Sequence, residues 1–149
     1  MRLSGFLRGH RGQGLVEFAL VSPVLLMAIF GIMDLVRVVW EYDTLAHASS
    51  EGSRYAAIHG HNAAVPSGPG ALSYTAPNLD SNVTAFVRGK AVGLDPNTVV
   101  VQSTWPDGDN LRGSRVLVEV TYAFRPLAVT LLGVGTITMR SASEARIVY

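Results

Sequence analysis

The 149-residue chain contains no cysteine, which excludes disulfides, thiolate metal sites and thiol nucleophiles. Charge is sparse and nearly balanced: 15% of residues are charged and the formal net charge is +1. No strong global field therefore draws nucleic acid or an acidic substrate. There is no Gly-rich phosphate cradle, no basic and aromatic nucleic-acid surface, and no nucleophile motif around any serine. Internal repeats and low-complexity tails are also missing. His59-x-His61 has no third ligand fixed nearby. Asp107-Gly108-Asp109-Asn110 lacks the Glu that would close a calcium loop and reads as turn chemistry. What remains is a structural or interaction protein rather than an enzyme, with no cofactor, no nucleic-acid partner and no small-molecule substrate expected.

What is present is concentrated near the start. Hydrophobic residues make up 48% of the chain, and the excess lies before residue 40. From Gly14 to Met33 the only charged residue is Glu17. These 20 residues would make a helix of about 30 Å, the thickness of bilayer hydrocarbon. A lone carboxylate near the start of such a span is expensive and is by default a functional candidate. Pro23 removes one helix hydrogen bond and predicts a kink or hinge. Arg2, Arg8 and Arg11 precede the span with no acid among the first 12 residues, and a basic flank of this kind stays on the cytoplasmic side. The chain has 12 basic and 11 acidic residues, so without these three arginines nine would face eleven. The basic excess belongs to the leader.

Helical spacing continues past Asp34. Leu35, Val38, Tyr42, Leu45, Ser49, Gly52 and Ala56 form the stripe expected to pack, and Asp34, Arg37, Glu41, Thr44, Ala48 and Glu51 a more polar one. Arg37 and Glu41 are spaced to pair on a helix, as are Glu51 and Arg54. One continuous helix from about Gly14 to about Ile58 is predicted. Its second half is rich in small residues, so another layer can approach its backbone closely. A mobile Gly- and Pro-rich loop over 59–77 follows. The next helix starts with Asn78 as N-cap, buries Leu79, Val83, Phe86, Val87, Ala91 and Leu94, and stops at Gly93 and Pro96. Alternating residues then predict strands over 98–105, 116–124 and 136–148. The apolar connection 126–135 reads as a short helix on the sheet edge or an exposed patch. The predicted fold class is α+β: a long N-terminal helix, a short helix and a three-stranded antiparallel sheet.

Two motifs carry a resemblance. Gly12-Gln13-Gly14-Leu15-Val16-Glu17-Phe18 resembles a type IV prepilin cleavage site, with Gly12 as the last leader residue, Gln13 as the new N-terminus and Glu17 as the fifth mature residue. A longer match resembles the TadE-like family of tight-adherence (Flp-type) pilus systems. It comprises Glu17-Phe18-Ala19-Leu20, Pro23, Asp34 with Arg37, and Glu51-Gly52-Ser53-Arg54-Tyr55-Ala56-Ala57. Some members carry a cysteine pair that this chain does not. The resemblance implies a pilin-like minor pilin or pseudopilin. Its segments would be a leader 1–12, a transmembrane helix 13–33, an extramembrane continuation 34–58, the loop 59–77 and a head 78–149. It further implies partners: a prepilin peptidase, other pilins or pseudopilins, the inner-membrane assembly platform and membrane lipid. The expected location is the inner membrane, single-pass, with the N-terminus cytoplasmic and the head periplasmic or extracellular, or incorporated in the pilus. An uncleaved anchored assembly factor, and a membrane-tethered sensor or enzyme, are the alternatives.

Overall fold

The computed structural model describes residues 12–127 and 135–149. Residues 1–11, which hold most of the expected leader, and most of the apolar connection 126–135 lie outside them. Helix α1 spans Gln13–Ile58, 46 residues, a rod of about 69 Å. It runs unbroken through Pro23. A two-stranded ribbon of β1 (Tyr74–Thr75) and β2 (Leu79–Asp80) leads into helix α2 (Ser81–Lys90). Three antiparallel strands follow: β3 (Val100–Thr104), β4 (Arg115–Phe124) and β5 (Ile137–Arg146), with β4 in the middle. The fold is α+β, as the apolar spacing predicts, although β3 and β5 are shorter than their alternating patterns.

A three-stranded sheet is stable only when one face is covered. On β4 the covered face is Val116, Val118, Val120 and Phe124. The second half of α1 lies over it, together with α2, so that Leu45, Ala48, Ala56, Val83 and Val87 are fully buried. Close approach depends on the small residues of α1. At Gly52 an added Cβ would stand 2.4 Å from Val87 Cγ2 and 3.1 Å from Val118 Cγ1. Toward β5 the seam is polar. The Ser49 hydroxyl lies 3.1 Å from that of Ser141, and Ser53 lies 3.0 Å from Ser143. Each helix serine also donates to the carbonyl three residues back, so these buried hydroxyls are satisfied.

Three expectations need correction. First, the apolar stripe packs from Leu45 onward, with Leu45, Ser49, Gly52 and Ala56 buried, but before it the packed face of α1 is rotated toward the polar stripe. Asp34 and Glu41 are buried while Leu35 and Tyr42 are exposed. Periodicity could not find this, because the charges are neutralised locally by Arg37. Second, α2 is capped by Asp80, not Asn78, and Leu79 is exposed in β2. Asp80 is fully buried and accepts four hydrogen bonds. Oδ1 takes the amides of Asn82 and Val83, and Oδ2 takes the Gly68 amide (2.8 Å) and the Ser73 hydroxyl (2.9 Å). Third, the 59–77 loop is tied down by those bonds. The buried Ser67 donates to the His59 carbonyl and accepts from the Asn110 amide on its own carbonyl. Gly68, at φ +93°, sits against the Trp105 ring, where a side chain would collide.

The 107–115 turn clamps the start of β4. Arg115 donates from its side chain and its backbone amide to Asp107 (both 2.8 Å). The side-chain bond first, then the amide, lowers the Asp107 pKa to about 2. A depressed carboxylate pKa stabilises the fold fully above the ordinary value and loses that contribution as pH falls toward the folded value. Asp107→Asn is therefore expected to lower the melting temperature slightly at neutral pH. The gap from the parent should close between about pH 4 and pH 2 and shrink in high salt, since both groups are exposed. Paired melts across that range check this.

Candidate functional site

The first half of α1 is bare. Between Leu15 and Met33 every Leu, Val, Ile and Met is exposed at 41% or more, with Leu15 at 72%; Phe18 is exposed at 69% and Phe30 is half-buried. The run is long and apolar enough to cross a membrane, and none of that window is buried inside the protein. Packing within the protein therefore does not explain its hydrophobicity, as it would for a core helix. It is consistent with a single-pass membrane anchor. Glu17 and Pro23 are exposed on this rod. Gly12 caps the helix by backbone alone, and an added Cβ there would meet nothing within 4 Å.

Where the rod meets the head, three charged side chains converge. Arg37 Nη1 donates to Asp34 Oδ1 (3.3 Å) and Nη2 donates to Glu41 Oε1 (3.4 Å). The Leu127 amide, just past β4, donates to Asp34 Oδ1 (2.9 Å). The Arg37 guanidinium also lies 5.2 Å from the centre of the Phe124 ring, a favourable cation–π geometry. Glu41 is buried, and among the described residues its Oε2 has no hydrogen-bond partner. Burial raises its pKa, and the Arg37 charge partly offsets that. The nearby Tyr122 hydroxyl is raised as well, by burial and then by the Glu41 charge. The cluster fixes how the span leaves the head. The spacing of the motif pointed to Asp34 and Arg37. Glu41 as a buried member was not foreseen, because an i, i+4 pair is usually a solvated one.

Further along α1, Glu51 and Arg54 approach to 3.7 Å, with the Arg54 side chain mostly exposed. Tyr55 is stacked between His59 (centroids 3.9 Å apart) and Phe86 (4.4 Å). His59 Nδ1 lies 2.8 Å from the Tyr55 carbonyl oxygen. This histidine is thus part of the helix C-terminus, and His61 makes a backbone bond to the Asn110 carbonyl. Gly52, Arg54 and Tyr55 fall on three different sides of one helical turn: against the sheet, in solvent and under α2. The structure does not bring the span residues Gln13, Glu17, Phe18 and Pro23 near this turn; they are strung along one rod. The space between α2 and the sheet is filled by Val83, Val87, Val99 and Val118. An open groove of about 610 Å³ lies at the far end, lined by Ile58, His59, residues 62–65 and Tyr149.

No curated protein and no solved structure matches the chain. Residues 12–54 match the sequence model of a family described as TadE-like protein. The matched stretch begins at Gly12, includes the whole bare rod and the Asp34–Arg37–Glu41 cluster, and ends at Arg54. Over residues 12–54 this chain is therefore similar to the TadE-like family.

Proposed function

We propose that the protein is a minor pilin or pseudopilin of a tight-adherence (Flp-type) pilus, cut by a prepilin peptidase between Gly12 and Gln13 and acting in pilus assembly or initiation. The TadE-like match supports a part in such a pilus system. The observation that carries the finer reading is the coincidence of that match with one unbroken helix that is bare at its start and walls the head at its end. Such a helix is at once anchor and assembly element, while the head supplies a specific surface. In this reading the chain is a peptidase substrate rather than an enzyme. The peptidase, other pilins and the inner-membrane assembly platform are its partners.

The start of α1 suits processing. Gly12 is unobstructed and contributes no side-chain cap, so removing it takes no side-chain contact from the helix. Glu17 then lies about 6 Å along the helix from the new N-terminus. Between packed helices of low dielectric it would pair with the terminal amine of a neighbour, where such a pair is far stronger than in water. In cells carrying the peptidase, mass spectrometry is expected to find a mature chain starting at Gln13. Gly12→Val should leave the precursor uncut. Glu17→Ala should be cut normally yet fail to support surface pili, scored by shearing. An intact Met1 start in those cells would replace this reading with an uncleaved anchored assembly factor. Normal piliation of Glu17→Ala would remove the assembly role of that residue.

A further inference from the structure

The charges at Asp34, Arg37 and Glu41 look in sequence like the end of the apolar run. In the fold the two carboxylates are not on its outer surface, and the Arg37 side chain, 42% exposed, is turned toward them. Asp34 and Glu41 are buried against the head, and Arg37 lies between them. The surface that α1 shows outward over this stretch is Leu35, Val36, Val39, Trp40 and Tyr42, each more than half exposed. The outward surface turns polar only afterwards, with Asp43, His47, Ser50 and Arg54. Two head segments flank the same level. Gly93 packs on the Trp40 ring beside Val92, which is 70% exposed. Leu127, held to Asp34 by its amide, is half exposed.

We propose that this collar is in contact with lipid: the outer membrane–water interface lies at Trp40 and Tyr42, not at Met33, and the lower rim of the head rests on the headgroups. The proposal rests on the membrane-anchor reading and moves its outer boundary. Continuity argues for lipid as the occupant, because Leu35, Val36, Val39 and Trp40 extend the bare apolar span, while the part-exposed Arg37 is paired with Asp34 and Glu41. The lengths agree. Glu17 and Trp40 are 23 residues apart, about 35 Å along a helix, against about 30 Å of hydrocarbon and 40–45 Å including headgroups. With Trp40 at the outer interface, where Trp and Tyr are enriched, Glu17 comes to the inner interface. Its carboxylate then stays hydrated and need not be buried in lipid.

The chain has no cysteine, so single-cysteine mapping is unambiguous. Full-length protein would be reconstituted in phosphatidylcholine–phosphatidylglycerol vesicles with cysteine at Leu25, Val36, Val39 or His47. Reaction with a membrane-impermeant maleimide is compared within the same preparation. Val36→Cys and Val39→Cys are expected to be as protected as Leu25→Cys, while His47→Cys labels freely. Tryptophan emission should be quenched by lipids brominated near the headgroup end of the acyl chain, more than by those brominated near its terminus. That quenching should vanish in Trp40→Phe, since Trp105 is buried. Rapid labelling at 36 and 39 with Leu25→Cys protected overturns the collar alone. Rapid labelling at Leu25→Cys as well overturns the anchor reading. Protection at 36 and 39 that grows with protein density, without quenching of Trp40, assigns the face to a second copy and overturns the lipid contact.

Discussion

Gly52→Val is expected to destabilise the head by about 3 kcal/mol, a fall in melting temperature of roughly 10 °C or more for a domain of this size. The first added carbon already stands 2.4 Å from Val87 Cγ2 and 3.1 Å from Val118 Cγ1, far inside van der Waals contact. Neither valine can swing away, because a β-branched side chain has few rotamers and both are fully buried. Gly52→Ala separates two opposing effects. Alanine gains up to about 1 kcal/mol of helix propensity, but the overlap costs about 1–3 kcal/mol, so the net change is still a loss. Combining it with Val87→Ala should return part of that loss, because the methyl nearest the new Cβ is gone. A favourable coupling of about 1 kcal/mol in the double-mutant cycle is expected. Melts of the full chain in detergent micelles measure all four variants. A Gly52→Ala protein more stable than the parent would mean that α1 and α2 have room to separate.

Asp80→Ala should cost about 3 kcal/mol or more. One buried carboxylate caps α2 and at the same time holds the Gly68 amide and the Ser73 hydroxyl. Losing an N-cap alone costs about 1 kcal/mol, and each buried donor left without an acceptor adds about 1–3 kcal/mol. Asp80→Asn should fall between. Its carbonyl can still cap the helix, but its amide then faces the Gly68 amide, two donors opposed. Amide exchange gives the more specific readout. Gly68 should lose protection in both variants and Asn82 and Val83 in Asp80→Ala, while the central strand β4 keeps its protection in Asp80→Asn. If exchange near Gly68 were already fast in the parent, the loop would not depend on Asp80.

The two residues differ in how visible they were. Gly52 lies in a stretch whose small residues announce a close approach, and the TadE-like motif marks it further. Asp80 reads only as a first-turn acid. Its other partners come from residues 68 and 73, and the apolar spacing that carries most sequence inference is silent about loop donors. The Ser49–Ser141 and Ser53–Ser143 contacts were hidden for a related reason. A serine stripe in a helix and another in a strand gain meaning only when the register between the elements is known.

By itself the sequence determined the order and kind of the main elements, since apolar spacing of three to four residues or of two follows directly from helix and strand geometry. It also marked the length of the bare span, and the Gly12-to-Arg54 stretch that is similar to the TadE-like family. The tertiary structure alone decided which way α1 is turned. Spacing gave two stripes, and the more hydrophobic one does face the core from Leu45 onward, through Leu45, Ser49, Gly52 and Ala56. Before it the head takes Asp34 and Glu41, because Arg37 and the Leu127 amide meet those carboxylates and the Phe124 ring meets Arg37. Leu35, Val36, Val39 and Trp40 are left outside. A side chain's partners, not its hydropathy, set the cost of burying it, and here those partners lie up to 93 residues away in the chain.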